Sequence, residues 1–170
     1  MKAQHLFVAV VTAAALAAVQ PAVAADPHVA AAGQPAAADT HAHAAGAPTK
    51  LTLDHGKRWT TDAPLRLRMN EIRALVAPKL PAVHAGTLPA ADYAKLGADV
   101  EGKVAAIVAE CKLPPAADAM LHLVVADLVA GADVMQGKAP GNAAEGAHRV
   151  VTAANAYGRY FDHAGWKPLR

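Results

Sequence analysis

The sequence of 170 residues predicts an all-α protein folded as an antiparallel, up-down-up-down four-helix bundle. Three observations lead to this prediction. Apolar residues recur at steps of three and four in four separate segments, which is the spacing of one face of a helix. The links between these segments are short, and short links make neighbouring helices run antiparallel. No segment has the alternating pattern or the turn chemistry of a strand.

The first helix is expected to begin near Trp59, because Thr60–Asp62 supply capping side chains and Pro64 suits a first helical turn. Its predicted buried face consists of Leu65, Met69, Ile72, Val76, Leu80 and Val83. Pro78 and Pro81 fall inside this pattern and lack a backbone N–H. We therefore expect a kink or an early end of the helix there.

Two further helices follow, separated by the chain-breaking pair Pro114-Pro115. The second starts near Pro89, and its apolar stripe is Tyr93, Leu96, Val100, Val104, Ile107 and Cys111. The third covers about residues 116–136 and ends at Gly137; its stripe is Ala117, Leu121, Val124, Leu128 and Met135.

The fourth helix is the clearest of the four and is expected within residues 142–166. Asn142 and Glu145 are spaced as a capping box at its start, and Gly165 follows the end of the pattern. Its small and apolar stripe is Ala147, Val150, Ala154, Tyr157 and Phe161. A stripe this narrow is typical of the seam of a helical bundle.

Residues 1–24 have the pattern of a cleaved export signal. A short basic start at Lys2 precedes the apolar run Leu6–Val19, and Ala22-Val23-Ala24 fits a small-x-small cleavage site. The alternative is a membrane anchor, but the run is short for ~30 Å of hydrocarbon and Pro21 interrupts it. We expect a protein of the bacterial periplasm that has no membrane association after cleavage.

Residues 25–56 form a segment rich in Ala, Pro and His that is predicted to be a flexible tail, because it has too little apolar surface to offset the entropy of ordering. His28, His41 and His43 in this tail are candidate ligands for Cu(II) or Ni(II). The alternative is a solvated tail with no particular role. The bundle itself is assigned to residues 57–170.

Composition argues against several functions. The formal charge of +2 falls to +1 when the signal with Lys2 is removed, which is too little for binding a nucleic-acid backbone. The chain has no serine and no phosphate-cradling glycine loop, and its only cysteine, Cys111, falls on a predicted buried stripe. We therefore expect a protein that is not an enzyme.

The antiparallel layout is expected to gather soft metal ligands at one end of the bundle. Cys111, Met120 and His122 would meet His163 there, with Met69 one or two turns deeper. Thiolate, thioether and imidazole together suit copper, especially Cu(I). These residues also have structural alternatives: Cys111 and Met69 as core residues, His122 at a helix interface, and His163 as a cation in the last turn of a helix.

Two stretches resemble the ends of the soluble periplasmic b-type cytochrome bundle, a family that belongs with the cytochromes c-prime. They are residues 59–69 (WTTDAPLRLRM) and 153–160 (AANAYGRY). Residues 51–169 also resemble uncharacterised proteobacterial exported proteins labelled DnrO-like. The cytochrome resemblance implies a helical bundle with haem held between a methionine of the first helix and a histidine of the fourth. Met69 matches the methionine, but Gly158 stands where the histidine belongs.

Three functions follow from these observations. The first is a periplasmic accessory protein that binds copper or another soft transition metal. The second is a haem-binding electron carrier that uses Met69 with a substitute such as His163, although Gly158 and the missing Cys-x-x-Cys-His motif predict that no haem is bound. The third is a helical module that binds a periplasmic protein partner and no cofactor.

Overall fold

The computed structural model describes residues 48–170, and no strand occurs among them. The helices are α1 (Ala63–Val76), α2 (Leu80–His84), α3 (Ala90–Glu110), α4 (Pro115–Met135) and α5 (Ala143–Tyr160). A short 3-10 helix, Ala77–Lys79, joins α1 to α2. The predicted all-α class is confirmed for this part of the chain. The export signal, most of the tail, and the candidate ligands His28, His41 and His43 lie outside the described residues.

The helix ends follow the predicted local chemistry. The carboxylate of Asp62 caps α1 by accepting a hydrogen bond of 2.8 Å from the backbone N–H of Leu65. The first apolar segment changes helix type where Pro78 and Pro81 fall, since α1 gives way to the 3-10 helix and then to α2. Asn142 and Glu145 form the predicted capping box of α5.

The predicted apolar stripes form the core. Every stripe residue named above is buried, with the single exception of Cys111. The prediction for Cys111 was wrong because α3 ends one residue earlier, at Glu110. Cys111 continues in an extended conformation and is half-buried at the end of the helix.

The helices pack side by side, α1 on α3, α3 on α4, α4 on α5, and α5 on α1. Helices α4 and α5 approach each other closely. A Cβ atom added to Gly131 would lie 2.7 Å from the carbonyl oxygen of Gly146, and one added to Gly146 would lie 2.7 Å from that of Gly131. These two positions therefore need glycine, because any side chain would push the helices apart.

The chain after α5 folds back over the helices, inside the stretch 142–166 within which the fourth helix was expected. Helix α5 stops at Tyr160, and Phe161 pairs with Trp59 in an isolated bridge. The side chain of Asn155 then holds Leu169 on both sides, accepting from its N–H at 2.8 Å and donating to its carbonyl at 3.0 Å. The final ten residues are consequently part of the folded unit.

The last residues of the predicted tail also contact the helices. Leu51 packs against the core, and the indole N–H of Trp59 donates to the carbonyl of Thr52 at 2.6 Å. Ordered structure thus begins before residue 57, the predicted boundary. Within the described part of the chain, none of the helices combines the length and apolar character needed to span a bilayer.

Candidate functional site

One carboxylate links the start of α1 to the chain just after the end of α3. Asp62 accepts from Leu65 through one oxygen, as described, and from the backbone N–H of Lys112 through the other, at 2.7 Å. This second hydrogen bond fixes the turn that leads from α3 into α4. Cys111 lies in this turn, between the end of α3 and the start of α4, and its neighbour Lys112 is held by Asp62.

A cleft of about 190 Å³ opens beside Cys111 at this end. Its walls combine an aliphatic lining with a thiol, an imidazole and a carboxylate, contributed by Ile107, Val108, Cys111, Asp118, Leu121, His122 and Val125. Two of the predicted metal ligands, Cys111 and His122, are therefore brought to one cleft by α3 and α4.

His122 is oriented by its own helix. Its Nδ1 lies 2.9 Å from the carbonyl oxygen of Asp118 and 3.4 Å from a carboxylate oxygen of the same residue. The carbonyl oxygen of Asp118 can only accept a hydrogen bond, so Nδ1 carries the proton and the lone pair of the neutral ring is on Nε2. A metal-binding histidine is normally held in this way, with one ring N–H donated to an oxygen and the other nitrogen left for the metal. The side chain is 67% exposed, so Nε2 is accessible.

Cys111 is a protonated thiol at neutral pH. Burial raises its pKa to about 12, and the neighbouring Asp62 carboxylate adds to the effect. A thiol of this kind is a poor nucleophile, because thiolate is the reactive form. A metal ion that binds here must displace the proton, and metal binding at a thiol is coupled to proton release for this reason.

The other two predicted ligands lie elsewhere at the same end. The sulfur of Met120 lies 3.9 Å from the hydroxyl of Thr52. His163 is only 6% exposed, and both of its nitrogens have partners: the phenol of Tyr157 at 2.9 Å and the amide nitrogen of Asn70 at 3.2 Å. Burial, followed by the charge of Arg66, lowers the pKa of His163 below its ordinary value. The ring is thus a buried, neutral imidazole. The alternative that the sequence suggested, a cation in the last turn of a helix, does not apply.

Met69 and Gly158, the two positions that correspond to haem ligands in the cytochrome resemblance, have well-defined surroundings. Met69 is fully buried in the core on α1. The indole ring of Trp166 packs directly against the backbone of Gly158, so a Cβ atom at position 158 would overlap the ring. The ring also packs against Tyr157 and His163, at centroid distances of 5.0 and 5.3 Å. The space above position 158 is therefore filled by the protein's own tryptophan.

A wider cleft of about 510 Å³ borders this indole and includes Arg58 and Arg159. The indole nitrogen of Trp166 is buried and has no hydrogen-bond partner among the described residues. Sequence reasoning missed Trp166, Asp62 and Asp118 as parts of these sites. Asp62 was recognised only as a cap, and nothing in the local pattern around Trp166 indicates which helix it covers.

The described residues include no group of three or more His, Cys, Asp or Glu side chains placed to hold one metal ion. The candidate site is therefore a pair, Cys111 and His122, with Asp118 supporting the histidine. Comparison of the chain with protein-family models, with curated proteins and with solved structures finds no match.

Proposed function

We propose that this protein is an exported, non-enzymatic accessory protein of the periplasm that binds a soft transition-metal ion, most favourably Cu(I), at Cys111 and His122. The export signal at residues 1–24 supports the location. The observation that carries the metal site is the convergence of a thiol and an oriented imidazole on one apolar cleft.

The proposed scaffold is an antiparallel, up-down-up-down four-helix bundle in which α1 and α2 form the first arm. Two contacts between neighbouring helices support it. Arg68, near the start of α1, donates to Glu110 at the end of α3 at 2.8 Å. Gln136, just after the end of α4, donates at 3.0 Å to Glu101, which lies in the middle of α3 and nine residues before Glu110. In such a bundle the end of α3 and the start of α4 are adjacent, which places Cys111 near His122.

The donor set favours Cu(I) over harder ions. Thiolate sulfur is a soft ligand that selects copper in its reduced state, whereas carboxylate and water suit Mg²⁺ or Ca²⁺. Structural zinc needs four protein ligands in most sites, and only two strong donors converge here. Cu(I) accepts two-coordinate binding, and the aliphatic walls of Ile107, Leu121 and Val125 would limit access of water and oxidants.

A binding role fits this site better than catalysis. The high pKa of Cys111 leaves almost no thiolate at neutral pH in the metal-free protein, so nucleophilic chemistry is not favoured. An electron carrier that uses Met69 with His163 is also disfavoured, because both nitrogens of His163 are hydrogen-bonded and Trp166 covers Gly158. The tail histidines His28, His41 and His43 remain proposed ligands for Cu(II).

Anaerobic titration with Cu(I) in competition with a chromogenic chelator tests the proposed site. The full-length protein should bind one Cu(I) with an affinity that Cys111→Ser and His122→Ala each reduce by at least about tenfold, the change that about 1.4 kcal/mol of binding energy produces. Met120→Leu is the matched control, because its sulfur contacts Thr52 and does not line the cleft. Equal affinity in wild type and Cys111→Ser would refute the site.

A further inference from the structure

A second pair of imidazoles lies at the other end of the helices. His84 is the last residue of α2, and His148 lies in the second turn of α5. Both side chains are exposed. Their ring centroids are 5.6 Å apart, and their planes differ by 8°. Two elements that are distant in the sequence thus present parallel imidazoles on one surface.

Neither ring has a structural task that explains the pairing. The core at this end is formed by buried aliphatic residues such as Leu80, Val83 and Val150. Within residues 48–170, neither His84 nor His148 makes a side-chain hydrogen bond or an ion pair. Their nitrogens are therefore available to a ligand from solution.

The separation of the rings suits a shared metal ion. A metal–nitrogen bond of about 2.0–2.1 Å places the ion about 3.2 Å from the ring centroid, so two imidazoles on one ion have centroids up to about 6.4 Å apart. The observed 5.6 Å lies within this limit. Parallel rings direct their lone pairs side by side rather than at one point, so each ring must rotate about χ2 to converge. Exposure of both side chains leaves them free to do so.

We infer that His84 and His148 form a two-histidine site for a borderline divalent transition-metal ion, such as Ni(II) or Cu(II), with water completing the coordination. Neutral imidazole is the preferred nitrogen ligand of these ions. The site is separate from the cleft of Cys111 and His122, which has a thiol and favours a softer ion. An ion held here links the first and last helical segments, so it binds the folded chain in preference to the unfolded chain.

Thermal unfolding of the full-length protein with and without Ni(II) tests this site, because an ion that binds only the folded state raises the unfolding midpoint. We expect Ni(II) to raise the midpoint of the wild type. His84→Ala and His148→Ala should each abolish the rise. Without metal, both variants should unfold at the wild-type midpoint, because both side chains are exposed and unbonded. Chelation by the tail does not produce the same rise, because a local tail site is equally available in the unfolded chain.

Two control variants distinguish this site from the others. His122→Ala and Cys111→Ser should keep the full Ni(II)-dependent rise, whatever their effect on Cu(I) binding. The inference is overturned if the wild type shows no rise in excess Ni(II), or if the rise survives in either His84→Ala or His148→Ala. A rise that disappears in His122→Ala but persists in His148→Ala would place the ion on α4 and also overturn it.

Discussion

Replacing Gly158 with alanine should destabilise the protein, although alanine is normally the better helix residue. The added Cβ would overlap the indole of Trp166. The ring would have to retreat by more than about 1 Å to reach ordinary carbon–carbon contact. Its contacts with Tyr157 and His163 restrict that movement. Forcing a methyl group into a packed site costs about 1–3 kcal/mol, and the helix gains about 1 kcal/mol from losing a glycine. We expect a net loss of up to about 2 kcal/mol in the free energy of unfolding.

Gly102 provides the matched control for this substitution. It is also inside a helix, but a Cβ there would meet no atom within 4 Å. Gly102→Ala should therefore stabilise the protein by about 0.5–1 kcal/mol. The two variants are compared by urea unfolding followed by circular dichroism. The displacement of Trp166 is followed by tryptophan fluorescence, with Trp166→Ala giving the contribution of Trp59 alone.

A double-mutant cycle then assigns the cost to the indole. In a Trp166→Ala background the obstruction is gone, so Gly158→Ala should become neutral or stabilising by up to about 1 kcal/mol. If Gly158→Ala has the same free energy of unfolding as Gly102→Ala and its tryptophan emission is unchanged, the packing of Trp166 on α5 is refuted.

Two further predictions concern the titrating groups His163 and Cys111. The pKa of His163 is lowered in the folded protein, so the unfolded chain binds a proton at this residue more readily. The free energy of unfolding should therefore decrease as the pH falls from about 7 to 5. His163→Gln should flatten this pH dependence, and an unchanged slope in urea unfolding would contradict the prediction. Asp62→Asn keeps one oxygen that can cap α1, but it removes the acceptor for the N–H of Lys112 and the charge that helps to raise the pKa of Cys111. Alkylation of Cys111 by iodoacetamide at pH 8–9 should therefore become faster, and an equal or slower rate would show that Asp62 does not act on the thiol.

The helices and their buried faces could be predicted because each depends on local periodicity. Leu65 and Met69 on α1, or Val150 and Tyr157 on α5, follow one face of a helix whatever the rest of the chain does. The capping box of α5 is equally local, since Asn142 and Glu145 are three residues apart. The antiparallel layout suggested that Cys111 and His122 would lie at one end, and they do line one cleft.

The predictions that failed depend on partners far away in the sequence. Helix α3 stops before Cys111, and Lys112 is held by Asp62, fifty residues earlier. His163 is buried because Asn70, 93 residues away, and Tyr157 bond its ring. No pattern near His163 indicates these contacts, so it resembled a cation in the last turn of a helix.

Met120 and His122 lie on different faces of α4, and their spacing in the sequence explains why. The two residues are two positions apart on α4, and side chains at that spacing do not share a face of a helix. His122 lines the cleft with Cys111, and Met120 contacts Thr52 instead.

X-ray absorption at the copper edge of the protein loaded anaerobically with one Cu(I) tests the central claim most directly. Binding at Cys111 and His122 predicts one sulfur scatterer and one imidazole scatterer, with the sulfur lost in Cys111→Ser and retained in Met120→Leu. A first shell of nitrogen and oxygen alone in the wild type, or a sulfur scatterer that survives Cys111→Ser, would contradict the proposed site.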